Sequence, residues 1–321
     1  MAINNVLILG GGIAGVAAAL AITRNNKLRC EIFEIRPVPV TIGGAINLTP
    51  NALRYLESLG VLEKLLERSC EVPRIDIFSH RTGRKISEID FDNVEKFKFR
   101  ARRVLRFDLL IAMIKTLEES GVKVQYGMKA VAIVHRENAV QISFEDGSMA
   151  EGDVLLGCDG IHSFARTAVV EPDRKPDYSG IANAYGMVDG SKFPSKPPFE
   201  ATALYSGRKG SLIVSYYDID RTKIYVSVVM EMDAAPSREG WKVKGEDQSS
   251  LKADILTRFA GSPEPFITEL IAATDEWFFY PVYRLPPKGR WTSDKVILLG
   301  DAAHAVRHSQ FRIIGIAVVL N

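Results

Sequence analysis

Val6-Leu7-Ile8-Leu9-Gly10-Gly11-Gly12-Ile13-Ala14-Gly15 is the stretch on which the reading of this chain turns. Four consecutive apolar residues read as a strand buried on both faces, as in a parallel sheet, and they enter a Gly-x-Gly-x-x-Gly turn with no spacer. The turn opens an Ala-rich segment, Val16 to Thr23, of high helix propensity. Gly10 permits the tight turn, Gly12 removes a Cβ where backbone must approach a pyrophosphate, and Gly15 lets the helix pack closely on its strand. Phosphate oxygens can then meet unpaired N–H groups at the helix N-terminus. Cys30-Glu31-Ile32-Phe33-Glu34 supplies the second strand of a βαβ unit, and Glu34 stands where a carboxylate accepts both ribose hydroxyls of an adenosine. A glycine turn alone also serves as a plain bend, and a strand-end Glu34 as a solvated charge; their joint spacing favours a dinucleotide site.

Two further apolar runs end in glycine-aspartate pairs. Val154-Leu155-Leu156-Gly157-Cys158 runs into Asp159-Gly160, and Lys295-Val296-Ile297-Leu298-Leu299 into Gly300-Asp301. Three strand ends of this kind can converge on one extended ligand. After Glu34 the chain does not repeat the β-α units of an ordinary NAD dehydrogenase. Instead a loop from Arg36-Pro37 leads to Gly43-Gly44-Ala45-Ile46, and Leu53, Leu56, Leu59, Leu62 and Leu65 then fall at helical spacing. Arg106 precedes an apolar helical stretch, Leu109 to Leu117, so it reads as a helix-start arginine whose planar fork can reach phosphate oxygens; the plainer reading is a surface arginine among Arg100, Arg102 and Arg103. Asp301 before Ala302-Ala303 suits a helix N-terminus, where an aspartate also serves as a simple cap.

With these segments in order, the chain resembles the class A flavoprotein monooxygenases, the FAD-dependent aromatic hydroxylases that include salicylate and para-hydroxybenzoate hydroxylases. The matching residues are Gly10-x-Gly12-x-x-Gly15 with Glu34, Gly43-Gly44-Ala45-Ile46 before Pro50-Asn51, Arg106 in Val104-Leu105-Arg106-Phe107-Asp108-Leu109, Cys158-Asp159-Gly160-Ile161-His162-Ser163-x-x-Arg166, and Gly300-Asp301-Ala302-Ala303-His304. The resemblance implies a mixed α/β fold. A Rossmann-like FAD-binding βαβ lobe with an inserted β-meander would comprise residues 1–70, 101–176 and 277–321, and an antiparallel-sheet substrate lobe residues 71–100 and 177–276. It further implies FAD as cofactor, NAD(P)H as co-substrate, and hydroxylation of a small aromatic substrate with O2. The implied cofactor contacts are Gly10, Gly12, Ile13, Ala14, Gly15, Glu34, Gly44, Ala45, Arg106, Asp159, Gly160, Gly300 and Asp301. No catalytic side chain is assigned: Tyr185, Tyr205, Tyr216, Tyr217 and Tyr225 lie on the expected roof strands, where adjacent side chains face opposite ways.

The chain departs from the family pattern after His304. A proline and a Gly-Gln-Gly turn against the flavin ring are the rule there, whereas this chain continues Ala305-Val306-Arg307-His308-Ser309-Gln310-Phe311-Arg312 and on to Asn321, with Gln310 and Gly315-Ile316-Ala317 as remnants. The expectation that follows is a truncated or divergent C-terminus with weaker FAD retention and impaired coupling. The alternatives left open are a catalytically inactive FAD- or ligand-binding remnant and another flavin oxidoreductase, a reductase or halogenase, on the same fold.

Composition sets outer bounds. In 321 residues the formal charge is +2, which gives no general affinity for nucleic acid or membrane surfaces, and 46% hydrophobic with 25% charged residues is ordinary for a soluble globular protein. The basic cluster Lys96, Lys98, Arg100, Arg102, Arg103 and Arg106 reads as a solvated edge or as anionic-cofactor contacts. Cys30, Cys70 and Cys158 show neither paired nor metal-ligand spacing and read as reduced thiols of a cytoplasmic protein; His304 and His308 lack a third ligand, so no metal site is expected. The N-terminus enters a strand directly, without a signal peptide, and Ile313 to Leu320 is too short to span a bilayer. Lys123–Tyr126, Ala130–His135 and Ala139–Phe144 read as the meander. Ala182–Val188, Thr202–Tyr205, Ser211–Tyr217 and Lys223–Met232 read as the roof strands, Leu251–Phe259 and Pro265–Thr274 as helices, and Trp277–Val282 as the return to the cofactor lobe.

Overall fold

The computed structural model describes residues 3–25, 28–193, 197–235 and 237–305. The apolar run that opens the chain becomes the strand Asn5–Leu9, inside a six-stranded sheet whose order is Thr292–Ser293, Val296–Leu298, Val154–Gly157, Asn5–Leu9, Arg29–Glu34 and Val124–Tyr126. Every pairing except that of Thr292–Ser293 is parallel, with Leu7 opposite Leu155, Ile8 opposite Ile32, and Leu156 opposite Ile297. The carboxyl ends of these strands therefore open on one side, the side where the three glycine elements lie.

Period-two alternation sends the sheet's side chains into two cores. Val6, Ile8 and Ile32 pack under the helices Ile13–Asn25 and Arg106–Glu119, against Val16, Leu20, Leu109, Met113 and Leu117. Leu7, Leu9, Phe33 and Leu155 pack on the other face against Val140, Ile142 and Phe144 of a three-stranded meander, Ala130–His135, Val140–Phe144 and Met149–Gly152. Each such buried aliphatic side chain contributes about 1.5–3 kcal/mol relative to exposure. Val124–Tyr126, expected as the first meander strand, instead pairs in parallel with Arg29–Glu34, Ile32 opposite Val124. It follows the helix Arg106–Glu119, which enters from the three-stranded sheet's strand Ala101–Leu105 and packs on this sheet beside Ile13–Asn25.

A seven-stranded sheet runs Phe278–Arg284, Asp177–Asp189, Lys223–Glu231, Gly210–Tyr216, Thr202–Gly207, Arg74–Ser79 and Lys85–Asp90; its neighbours are antiparallel except for the parallel pair Thr202–Gly207 and Arg74–Ser79. Its outer face, with Leu212, Val214, Val226 and Val228, is buried against Ile255, Phe259, Ile267 and Ile271 of the helices Gln248–Phe259 and Pro265–Ala273. The segment expected to return to the cofactor lobe at Trp277 does not do so: Phe278–Arg284 pairs with Asp177–Asp189, Asn183 opposite Tyr280, as an edge strand of this sheet. Pro281 fits that edge, where no second neighbour needs its missing N–H. The chain leaves the sheet only after Arg284, and the Leu285 N–H donates to the Ala305 carbonyl at 2.9 Å. Between the two large sheets lies a three-stranded one, with Ala101–Leu105 in the middle of Ala45–Leu48 and Ser69–Val72. No helix among the described residues is long and apolar enough to cross a membrane.

Candidate functional site

The three glycines of the first turn differ in what surrounds them. At Gly10, φ is +113° and a Cβ would strike the Cys158 carbonyl oxygen; at Gly15 a Cβ would strike the Gly10 carbonyl oxygen. Those two glycines are required by the protein's own packing. At Gly12 a Cβ would meet nothing within 4 Å among the described residues, which leaves room there for a ligand. The first-turn N–H groups of the helix starting at Ile13 have no intrahelical partners and sit at its positive end, while Ala14 and Gly15 continue that turn. Glu34 closes the turn from the neighbouring strand: Oε2 accepts from the Gly11 N–H at 2.7 Å and Oε1 from the Arg36 N–H at 3.0 Å. Each oxygen keeps acceptor capacity for a further donor.

The last element reaches the first directly. Gly300 adopts φ 59°, ψ −139°, a region open essentially to glycine alone, and a Cβ there would lie 3.0 Å from the Ala14 Cβ. Asp301 then begins the short helix Asp301–His304, exposed and, among the described residues, without a hydrogen-bond or ion-pair partner for its carboxylate. The middle element abuts the first through the Cys158 carbonyl, and Gly160 has φ +79°. The Asp159 carboxylate turns inward: Oδ2 accepts from the N–H groups of Phe164 at 2.7 Å and Ala165 at 3.0 Å, Oδ1 is buried without a partner among the described residues, and burial pushes the carboxyl above its ordinary range.

Arg166, wholly buried, ties these parts together. It donates to the carbonyls of Ala302 at 2.8 Å, Ile161 at 2.6 Å and Arg174 at 3.1 Å, and its own N–H donates to Ser163 Oγ at 2.9 Å. Arg174 adds bonds to the carbonyls of Ala303 and Pro286, both 3.0 Å. The Ser163 and Arg166 spacing seen in the sequence thus braces the Asp159-Gly160 turn against the Asp301 helix.

Arg106 begins the helix Arg106–Glu119, and its N–H donates to the Gly44 carbonyl at 2.9 Å. Gly43 lies at φ +97°, with Arg106 Cδ 3.1 Å from where its Cβ would be, and the Arg106 Nε is buried without a partner among the described residues. A Cβ on Gly44 would strike the rings of Tyr225 and Tyr185, so this turn, continued by the buried Ala45, abuts the seven-stranded sheet. There Tyr185 stands 5.8 Å from Tyr225 and 6.3 Å from Tyr280, ring centre to ring centre. Ser227 Oγ donates to Asn183 Oδ1 at 2.8 Å and Asn183 Nδ2 donates to the Tyr280 hydroxyl oxygen at 2.7 Å. Burial pushes the phenols of Tyr185, Tyr225 and Tyr280 upward, so at neutral pH they are protonated donors and not bases.

Of the five tyrosines singled out in the sequence, Tyr185 and Tyr225 face this space, Tyr205 and Tyr216 pack on the helices of the outer face, and Tyr217 packs beside Ala45 and Ile213. Sequence reading missed Tyr280, whose strand was placed in the other lobe, and Arg103. The basic cluster is not a uniform solvated edge. Arg102 faces outward to Glu71 at 3.1 Å, while Arg103 on the opposite strand face is 1% exposed, its guanidinium 5.0 Å from the Tyr225 ring centre and drawn by burial down to about 10, still protonated at neutral pH. The three cysteines are free and buried. Among the described residues no group of three His, Cys, Asp or Glu side chains could hold a metal ion, and the His304 ring lies 5.2 Å from that of Trp291. His308 and the divergent segment with Gln310 and Gly315-Ile316-Ala317 lie outside the described residues.

The family described as FAD binding domain matches residues 4–309. The chain is 28% identical over 305 residues to 3-amino-4-hydroxybenzoate 2-monooxygenase of Streptomyces cremeus, spanning 93% of this chain and 72% of that protein. It is 27% identical over 318 residues to a salicylate hydroxylase of Pseudomonas putida, spanning 94% and 71% respectively. Its fold matches the crystal structure of Klebsiella pneumoniae HpxO complexed with FAD and uric acid with a TM-score of 0.79 at 24% identity, covering 94% of this chain and 74% of that one.

Proposed function

This chain belongs to the FAD-binding-domain family and, within it, to the class A FAD-dependent aromatic hydroxylases, and we propose that it hydroxylates a small, electron-rich aromatic ring held beneath the inner face of the seven-stranded sheet. Its cofactor is FAD, which when bound supplies the redox chemistry by which NAD(P)H, as reductant, and O2 hydroxylate the ring, one oxygen atom entering the ring and the other leaving as water.

The observation that carries the assignment of residues is the open space at Gly12, set between a turn locked by Glu34 and the helix that Gly300 touches at Ala14. The N-terminus of the helix at Ile13 would receive the pyrophosphate, with Gly10, Ala14 and Gly15 shaping the turn beneath it. Glu34 would accept the adenosine ribose hydroxyls with its remaining lone pairs. Arg106, through its unpartnered Nε, and the Gly44-Ala45 backbone would line the middle of the cofactor, and Gly300-Asp301 would offer a carboxylate to its ribityl hydroxyls. Asp159-Gly160 would fix the floor on which these meet. In this reading the six-stranded sheet with its meander is the cofactor lobe and the seven-stranded sheet the substrate lobe.

Tyr185, Tyr225 and Tyr280 would wall the ring and keep water out. Because the Tyr280 oxygen already accepts from Asn183, its own proton is left to point at another acceptor, which suits a hydroxyl or phenolate oxygen of the substrate. Three free, buried cysteines fit a reducing compartment, and we place the enzyme in the cytoplasm. The test is to supply FAD-loaded protein with NADH or NADPH and a panel of phenols and hydroxybenzoates. Hydroxylated product formed in proportion to NAD(P)H consumed supports the reading; oxidation that yields only peroxide with every ring tested favours another flavin oxidoreductase.

A further inference from the structure

A buried guanidinium with no counter-ion among the described residues stands where the three-stranded and seven-stranded sheets meet. Arg103 occupies the middle strand Ala101–Leu105, level with Asn47 on one neighbour and Cys70 on the other. Its flanking Arg100 and Arg102 are paired with Asp92 and Glu71, yet among the described residues no carboxylate pairs with Arg103. The guanidinium lies over the Tyr225 ring, which fixes its plane. Its Nε and Nη2 are both buried and, among the described residues, unpartnered. Those two N–H groups form one edge of the guanidinium, the edge that matches the two oxygens of a carboxylate side-on.

The surroundings are polar in the same unfinished way. Asn47 is 1% exposed and neither of its side-chain polar atoms has a partner among the described residues. On the facing sheet Thr202, Ser215 and Tyr225 form one cross-strand row, and the Thr202 and Ser215 hydroxyls are buried and, among the described residues, unpartnered. Buried polar groups are normally satisfied, and an unpaired buried charge is among the costliest exceptions, so a cluster of them argues for a ligand that completes it. Tyr225 also meets the Gly44 turn, so this polar end adjoins the turn that holds Arg106.

We propose that Arg103 is the specificity-determining anchor for a carboxylate carried by the aromatic substrate, taken side-on by Nε and Nη2, with Asn47, Ser215 and Thr202 completing the polar end of the pocket. The proposal rests on the hydroxylase reading and narrows its substrate to ring acids.

The experiment compares benzoate, salicylate, 3-hydroxybenzoate and 4-hydroxybenzoate with their amides, by calorimetry on the protein with and without FAD and by flavin difference spectra on the loaded form. At least one acid is expected to bind roughly tenfold or more tightly than its amide. Arg103→Met should weaken that acid by about a hundredfold and remove the preference. Arg103→Lys, which keeps the charge without the fork, should fall between. In turnover the loss should appear in KM more than in kcat, with FAD affinity unchanged. Equal binding of acids and amides by the native protein, or a preference that survives in Arg103→Met, overturns the proposal. If Arg103→Met does not fold, the native comparison and Arg103→Lys decide. Failure to hold FAD sinks the hydroxylase reading instead, while the calorimetric comparison still judges Arg103.

Discussion

The Glu34 carboxylate accepts a 2.7 Å hydrogen bond from the Gly11 N–H, so the end of the second strand is fastened to the glycine turn that follows the first. The residue therefore shapes the turn as well as facing the space beyond it. Glu34→Ala removes two charge-assisted bonds at a half-buried site and should cost about 1–3 kcal/mol of stability, together with a drop in FAD affinity of tenfold or more. Glu34→Gln, which keeps a carbonyl acceptor, should retain most of the stability and lose affinity. Denaturant melts and flavin-fluorescence titrations separate the two effects; a Glu34→Gln variant that binds FAD as tightly as the native protein would mean that the charge itself has no part.

Gly12 and Gly15 should fail differently. A side chain at Gly12 meets open space, so Gly12→Val should melt close to the native protein and lose FAD. A Cβ at Gly15 runs into the Gly10 carbonyl, so Gly15→Ala should unfold at visibly lower temperature, with ligand loss only a consequence. Differential scanning of both variants without cofactor checks this ordering.

Asp301 and Arg166 form a second contrast. Asp301 is exposed and makes no bond within the described protein, so Asp301→Ala should leave stability within about 0.5 kcal/mol and reduce FAD affinity roughly ten- to hundredfold. Arg166→Met strands the buried carbonyls of Ala302 and Ile161 and should cost about 3 kcal/mol or more in urea unfolding. Unchanged FAD affinity in Asp301→Ala would remove that carboxylate from the site.

Two histidines set an acid-side stability slope. Burial lowers His80, and burial with Arg238 and Arg166 lowers His162, each below the ordinary 6.5. A base with a depressed folded-state pKa is protonated first in the unfolded chain, so its contribution is complete above about 6.5 and is lost as pH falls toward the folded-state value. His80→Gln/His162→Gln should therefore show a smaller fall in urea midpoint between pH 7 and 5.5 than the native chain. The carboxylates held low, Asp146, Asp153, Asp189 and Asp275, act in the same direction but only below their ordinary 3.8, outside that window. An unchanged slope in the double variant would contradict the assignment to these two residues.

The cofactor side was largely legible because its demands are local in sequence. A strand, a glycine turn and a helix occupy residues 5 to 25, and the same strand-then-glycine logic marks Cys158-Asp159-Gly160 and Leu299-Gly300-Asp301. The substrate side was less legible, since alternation says that Arg102 and Arg103 face opposite ways without saying which face meets a closed space. That choice depends on Ala45–Leu48 and Ser69–Val72 flanking the strand, and on Tyr225 arriving from more than a hundred residues away. Tyr280 was hidden for a related reason: Phe278–Arg284 could join either large sheet by its own pattern, and Pro281 restricts it to an edge without naming which. The Asp159-Gly160 pair was visible as a motif, but not that its carboxylate is spent on the Phe164 and Ala165 N–H groups.

The central claim is that Gly12, Glu34, Arg106 and Gly300-Asp301 together hold FAD, and the most direct measurement is the visible spectrum of purified protein mixed with FAD and desalted. The native chain is expected to keep the flavin absorption bands through desalting while Gly12→Val, equally folded by circular dichroism, emerges colourless. A native chain that is folded yet colourless after loading, or a Gly12→Val variant that retains the flavin as well as the native protein, would contradict it.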